Sequence, residues 1–230
     1  GSGLLRILRR HFVIQWQTIW RLIKVAAGGA GQYFIASASW IFLMRIVSQF
    51  GSEVVAGYTI ATRLIVFTIL PSWGISNAAA TLVGQNLGAG FPDRAEASAW
   101  RAAFYNMIFL LVVAVVYISA GPILIRFFSQ EASVVEAGAL SLRIISLGYI
   151  FFAYGMVISQ SFNGAGDTLT PTLINLVCFW MMEIPLGYIL ANHTGLEHAG
   201  VFWAITLSET AMAIICIILF RRGKWKTVVI

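Results

Sequence analysis

Charge is what this sequence has least of. Only 10% of its 230 residues are Asp, Glu, Lys or Arg, where soluble domains carry about 25%. With 59% hydrophobic residues, a chain of this length lacks the polar surface to cover a water-soluble globule, so disordered and nucleic-acid-binding readings are excluded as well. Cysteine is equally scarce. Cys178 and Cys216 both lie inside apolar runs, with no CxxC and no His nearby, which rules out a disulfide framework and reads as two small buried apolar side chains. Catalytic groups are present only as scattered residues. His11, His193 and His198 are far from any nucleophile, no Ser sits in GxSxG, and no phosphate-cradling glycine loop follows a strand-like run, so no enzyme activity is expected. His193 and His198 flank Glu197 in one polar stretch, read as solvated loop histidines with a metal pair as the alternative. Asn192-His193-Thr194 in the same stretch has the form of a glycosylation sequon.

What the sequence has instead is long apolar runs. A helix needs about 20 apolar residues to cross a hydrocarbon layer of roughly 30 Å. Six runs reach that length: Val25–Gln49, Val54–Leu87, Trp100–Ala120, Val134–Phe162, Leu169–Ala191 and Ala199–Phe220. All exceed the roughly 9–11 residues of a membrane barrel strand and none alternates in and out. The expected fold is an all-α integral membrane protein with six transmembrane helices occupying residues 25–220.

The basic residues set the orientation. Of fifteen Lys and Arg, five lie in Arg6–Lys24 and four in Arg221–Lys226. Both ends are therefore expected on the cytoplasmic face of an inner (plasma) membrane, which six crossings satisfy with Arg94 and Arg101 on the same side and Arg126 alone outside. Leu4–Lys24 interleaves Arg6, Arg9, Arg10, Arg21 and Lys24 with Leu, Ile, Phe and Trp. It reads as an amphipathic helix in the cytoplasmic interface, or as the linker from a preceding span. Gly1-Ser2-Gly3 reads as a linker scar, and residues 221–230 as a basic cytoplasmic tail.

Helix breakers then divide the runs internally. Val54–Leu87 would extend about 50 Å if straight, so it must tilt, kink or protrude, and Pro71 with Gly74 is the expected gating kink. Pro185 breaks the fifth run in the same way. Gly84–Gly90 and Asn163–Thr168 are helix stops, with Asp167 or Thr168 placed to cap the helix that follows. Gln32, Ser39 and Trp40 share a broad face of the first helix, and Tyr149, Phe152, Met156 and Gln160 share one on the fourth. Together with Asn77 beside the kink, these are the expected substrate-binding groups, with packing or lipid-facing roles as the alternative for each. Counting about 1.5 Å per residue puts Glu183 at the depth of Arg63 and Arg143. An ion pair between Glu183 and one of the two arginines is therefore expected, leaving Glu209 as the other buried charge and a candidate for ion coupling.

Several segments together carry a family likeness. Gly57-Tyr58-Thr59-Ile60-Ala61-Thr62-Arg63, then Pro71 and Gly74, then the stop Val83-Gly84-Gln85-Asn86-Leu87-Gly88-Ala89-Gly90 with Arg94-Ala95, resemble the second helix of a lobe in the multidrug and toxic compound extrusion (MATE) family. Asn163-Gly164-Ala165-Gly166-Asp167-Thr168, Pro171, Asn175 and Ile184-Pro185-Leu186-Gly187-Tyr188 are similar to its later helices. The resemblance runs over nearly all of the chain from Leu22. It implies the second of two six-helix lobes around a central cavity, preceded by the interlobe segment, with the N-terminal six-helix lobe as missing partner. It further implies antiport of amphipathic, often cationic organic compounds by alternating access, coupled to Na⁺ or H⁺ and needing no cofactor. Sodium-coupled members carry acidic residues in their seventh and tenth helices. The corresponding runs here hold only Glu136, at an outer edge, so coupling falls to the absent lobe or to Glu183 and Glu209. A lipid-linked glycan flippase of related fold and a non-transporting membrane scaffold are the alternatives.

Overall fold

The computed structural model describes residues 15–227, apart from the side chains of Arg21, Lys24 and Val25. Among these residues the regular structure is entirely helical. The helices are α1 (Trp16–Val47), α2 (Ser52–Gly88), α3 (Pro92–Arg126), α4 (Ala132–Leu147), α5 (Tyr149–Gly164), α6 (Leu169–Asn175), α7 (Ile184–His193) and α8 (His198–Arg221). A π-helical stretch, Leu176–Glu183, joins α6 to α7. Among the described residues five stretches are long and apolar enough to cross a membrane, namely Ala26–Phe50, Ser52–Gly88, Pro92–Arg126, Leu169–His193 and His198–Arg221. The pair α4 and α5 makes a sixth if taken as one span, bent by 60°. Phe34 and Phe67, on the first two of these spans, are exposed, as apolar side chains can be where hydrocarbon replaces water.

Residues Trp16–Lys24 continue into the first span as one helix. The remainder of the expected interfacial segment, with Arg6, Arg9, Arg10 and His11, lies outside the described residues, as does the linker Gly1–Gly3. Helix ends follow local chemistry. Gly51, Gly90 and Gly166 take φ of 106°, 79° and 85°, a left-handed geometry that side chains disfavour. Asp167 caps the next helix, its Oδ1 accepting from the Thr170 N–H at 3.1 Å.

The sharp break of the fold falls at Gly148. α2, by contrast, runs on through Pro71 and Gly74 as a single helix of 37 residues. At the end of α4 the Gly148 N–H turns to Ile145 O at 3.1 Å, and the Ile144 carbonyl is met by Thr206 Oγ1 of α8 at 3.0 Å. A freed carbonyl in an apolar bundle needs such a partner. Gly148 also makes room for it, since a Cβ there would lie 3.0 Å from Thr206 Cγ2.

Small residues bring the helix backbones together, as expected where hydrocarbon solvates the outside. A Cβ on Gly57 would sit 2.6 Å from Val134 O, and one on Gly138 would sit 2.9 Å from Gly57 O, so α2 and α4 cross at backbone contact. α2, α3 and α5 are tied by a buried polar link. Ser72 Oγ donates to Asn106 Oδ1 at 2.7 Å, and Asn106 Nδ2 donates to Ala153 O at 3.1 Å.

The tail after α8 folds back onto the bundle. Trp225 is 1% exposed, stacks on Phe220 with ring centroids 4.3 Å apart and donates from Nε1 to Phe220 O at 2.8 Å. Lys226 reaches α3, pairing with Glu96 at 2.6 Å and Asp93 at 3.2 Å. The hydrogen bond that Lys226 donates to Glu96 holds its ammonium above the usual lysine range. Burial decides which contact matters. Trp225→Ala is expected to destabilise the lobe by about 3 kcal/mol and Lys226→Ala by less than about 1 kcal/mol, compared by thermal unfolding in detergent micelles.

Candidate functional site

Glu183 ends the π-helical stretch, two residues before Pro185. Proline cannot donate to the preceding turn, and the widened winding just before it re-aims the side chains that follow. The stretch is anchored to α1, with Trp180 Nε1 donating to Ile35 O at 3.0 Å. Ser39 Oγ of α1 donates to Glu183 Oε2 at 2.9 Å. Both residues are buried, Glu183 at 2% exposure.

Glu183 faces a cavity of about 80 Å³ shared with Glu209 of α8 and lined also by Trp40, Tyr58, Thr62, Tyr149, Phe152 and Thr206. Glu209 stands one turn beyond Thr206, the residue that holds the Gly148 bend. Its Oε2 is buried and has no hydrogen-bond partner among the described residues, and the same is true of the Tyr149 hydroxyl. Two carboxylates and an unpartnered hydroxyl therefore share one small apolar-walled space. Its volume suits a few waters or a small cation and falls well short of the roughly 300–1,000 Å³ typical for organic ligands.

The ion pair expected from depth is not made. Among the described residues both ion pairs belong to Lys226, while Arg63 and Arg143 are exposed and outside the cavity. Depth counting gives the height of a side chain but not its azimuth. Thr62 lines the cavity, so Arg63 is turned about 100° away from it. Ile145 lines it too, which leaves Arg143 about 200° round the helix.

The other anticipated residues form a second site. Gln32 Nε2 donates to Asn163 Oδ1 at 3.0 Å and Asn163 Nδ2 donates back to Gln32 Oε1 at 3.2 Å. Asn163 Nδ2 also donates to Gln160 Oε1, and Gln160 Nε2 donates to Asn77 Oδ1 at 3.1 Å. This amide ladder crosses from α1 over α5 to α2. Met156 belongs to neither site, its sulfur lying 3.4 Å from Ser72 Oγ, whose proton is committed to Asn106 Oδ1.

The residues expected to bind substrate and the buried carboxylates thus fall into two groups. Trp40, Tyr149, Phe152, Glu183 and Glu209 meet at the cavity, and Gln32, Asn77 and Gln160 meet along the ladder. Tyr58, Thr62 and Thr206 line the cavity and Asn163 joins the ladder, and sequence reasoning selected none of them for the site. Asn163 carries a sequence signal, since it lies one helical turn after Gln160, but its place in a Gly-rich helix stop masks it. Thr206 carried none, because its role depends on a bend in another helix.

A family model described as MatE matches residues 30–189. The chain is similar to a probable multidrug resistance protein NorM of Thermotoga maritima, 23% identical over 98% of this chain and 51% of that protein. It is similar also to the probable multidrug resistance protein YoeA of Bacillus subtilis, 23% identical over 96% of this chain and 48% of the relative. Among solved structures it resembles the MATE transporter ClbM in complex with Rb⁺, with a TM-score of 0.85 at 23% identity, covering 92% of this chain and 50% of that one. It resembles likewise a MOP superfamily transporter from Pyrococcus furiosus, with a TM-score of 0.89 at 20% identity over 99% and 52% of the two chains. The chain spans about half the length of the curated relatives it matches.

Proposed function

Because the chain belongs to the MATE family, we propose that it forms one six-helix lobe of a two-lobe exporter driven by Na⁺ or H⁺. The substrates proposed are amphipathic organic compounds, and the partner is a second lobe of comparable size. The observation that carries this reading is the pair Glu183 and Glu209 in one small cavity with no cationic side chain among the lining residues. Two ionised carboxylates in such a space repel each other in a low dielectric, and a monovalent cation relieves both. The solved relative ClbM is described in complex with a monovalent cation, Rb⁺, which supports a cation as coupling partner.

The surrounding elements supply a route from ion to conformation. Glu209 is one turn from Thr206, which holds the carbonyl freed at the Gly148 bend, and Glu183 closes the π-helical stretch. Ion entry therefore acts at two irregular helices, which rearrange more readily than regular ones. Alternating access would use these elements together with the Pro71–Gly74 region of α2. The basic ends, with Arg94, Arg101, Arg221 and Arg222, would face the cytoplasm. A glycan flippase would want cationic groups facing the cavity, and Arg63 and Arg143 lie outside it.

Ethidium efflux from proteoliposomes holding the transporter that carries this lobe tests the reading. An imposed Na⁺ or H⁺ gradient is expected to speed efflux by roughly tenfold. Efflux at the same rate with and without either gradient would overturn it.

A further inference from the structure

The amide ladder opens on a groove of about 430 Å³ between α2 and α5, separate from the acid cavity and without a charged side chain in its lining. The floor is rigid, because α2 and α5 touch there at backbone distance. A Cβ on Gly84 would lie 2.8 Å from Gly164 O, and one on Gly164 would overlap the Ala80 carbonyl.

A donor count separates the structural end of the ladder from the available end. A primary amide has two N–H groups. Gln32 spends both, on Asn163 Oδ1 and Thr168 O. Asn163 spends both, on Gln32 and Gln160. Gln160 spends one, on Asn77 Oδ1, and Asn77 spends neither on any described residue. The Thr81 hydroxyl is already committed to Asn77 O at 3.0 Å. Three amide N–H groups of Asn77 and Gln160 thus have no hydrogen-bond partner among the described residues. Asn77 lies about 16 Å along α2 from its Gly88 end, on a helix that traverses the bilayer. Free donors at that position face water, a ligand or the second lobe, since hydrocarbon cannot satisfy them.

We propose that this groove binds uncharged compounds through carbonyl-type acceptor oxygens, with Asn77 and Gln160 as the donors. It offers hydrogen-bond donors and a volume within the usual range for organic ligands, and it has no carboxylate to favour a cation. The inference deepens the exporter reading by naming a substrate class and rests on it only for the step from binding to transport.

Equilibrium dialysis against the transporter that carries this lobe, in lipid nanodiscs, tests it. The probes are chloramphenicol, neutral and rich in acceptor oxygens, and tetraphenylphosphonium, a permanent cation with none. Chloramphenicol is expected to bind saturably, and Asn77→Asp and Gln160→Met are each expected to weaken it at least tenfold. Asn77→Asp should at the same time strengthen tetraphenylphosphonium binding, a gain that a misfolded variant would not show. Absence of saturable chloramphenicol binding, or an affinity that neither substitution changes, overturns the assignment. Dialysis needs no ion gradient, so a chain that binds chloramphenicol while its transporter ignores gradients would refute the coupling mechanism and leave the groove in place.

Discussion

Replacing Glu183 and Glu209 together by Gln is expected to make the protein more stable and to uncouple it. Gln keeps the shape of Glu and removes two like charges that share a small cavity and meet no cationic side chain among those lining it. A buried ion without a partner carries a desolvation cost on the order of several kcal/mol, which the neutral amides avoid. Ion-driven efflux should fall by roughly a hundredfold, the upper end of the ~1–3 kcal/mol range of coupling energies. A third readout separates this from a packing effect. A ligand present at a hundred times its dissociation constant stabilises by about 2.7 kcal/mol, so the native protein should melt later as the coupling cation is added. The double variant should melt at one temperature throughout. Loss of stability in the variant, or a melting temperature that still follows the cation, would remove the two carboxylates from the coupling mechanism.

Gly164→Val should produce the largest loss of stability of any single change at the sites described. The first atom of any side chain there meets the carbonyl and Cα of Ala80, which belong to a helix backbone and cannot rotate aside. The helices would have to part, costing about 3 kcal/mol or more. The separation would also pull Gln160 and Asn163 away from Asn77, so chloramphenicol binding should be lost with it. Gly74 gives the opposite sign. A Cβ on Gly74 meets nothing within 4 Å, and Ala in the interior of a helix is favoured over Gly by about 0.5–1 kcal/mol. Thermal unfolding of both variants in one detergent should therefore move in opposite directions. A Gly164→Val protein as stable as the native chain would contradict the close crossing of α2 and α5.

The helical class and the membrane-crossing character could be read from the sequence, because both depend on runs along a single chain. Hydrocarbon thickness sets how many apolar residues are needed, and Gly-rich stretches such as Gly84–Gly90 and Asn163–Thr168 mark where backbone hydrogen bonding stops. The site was legible residue by residue. Glu183, Glu209, Tyr149, Gln160 and Asn77 stand out because polar groups are few in so apolar a chain, and each such group needs a reason to be there.

What the tertiary structure decided was which of these residues meet. Hydropathy and residue counting measure position along a helix axis, and they place Glu183, Arg63 and Arg143 at one height. Contact also requires a shared azimuth, which is set by how neighbouring helices dock, and the two arginines are turned away from the cavity. The bend was decided in the same manner. Leu147-Gly148-Tyr149 looks no more breakable than Trp73-Gly74-Ile75, yet the chain bends at Gly148 and α2 continues through Gly74. The difference lies in another helix, where Thr206 supplies the hydrogen bond that a broken backbone needs inside a membrane.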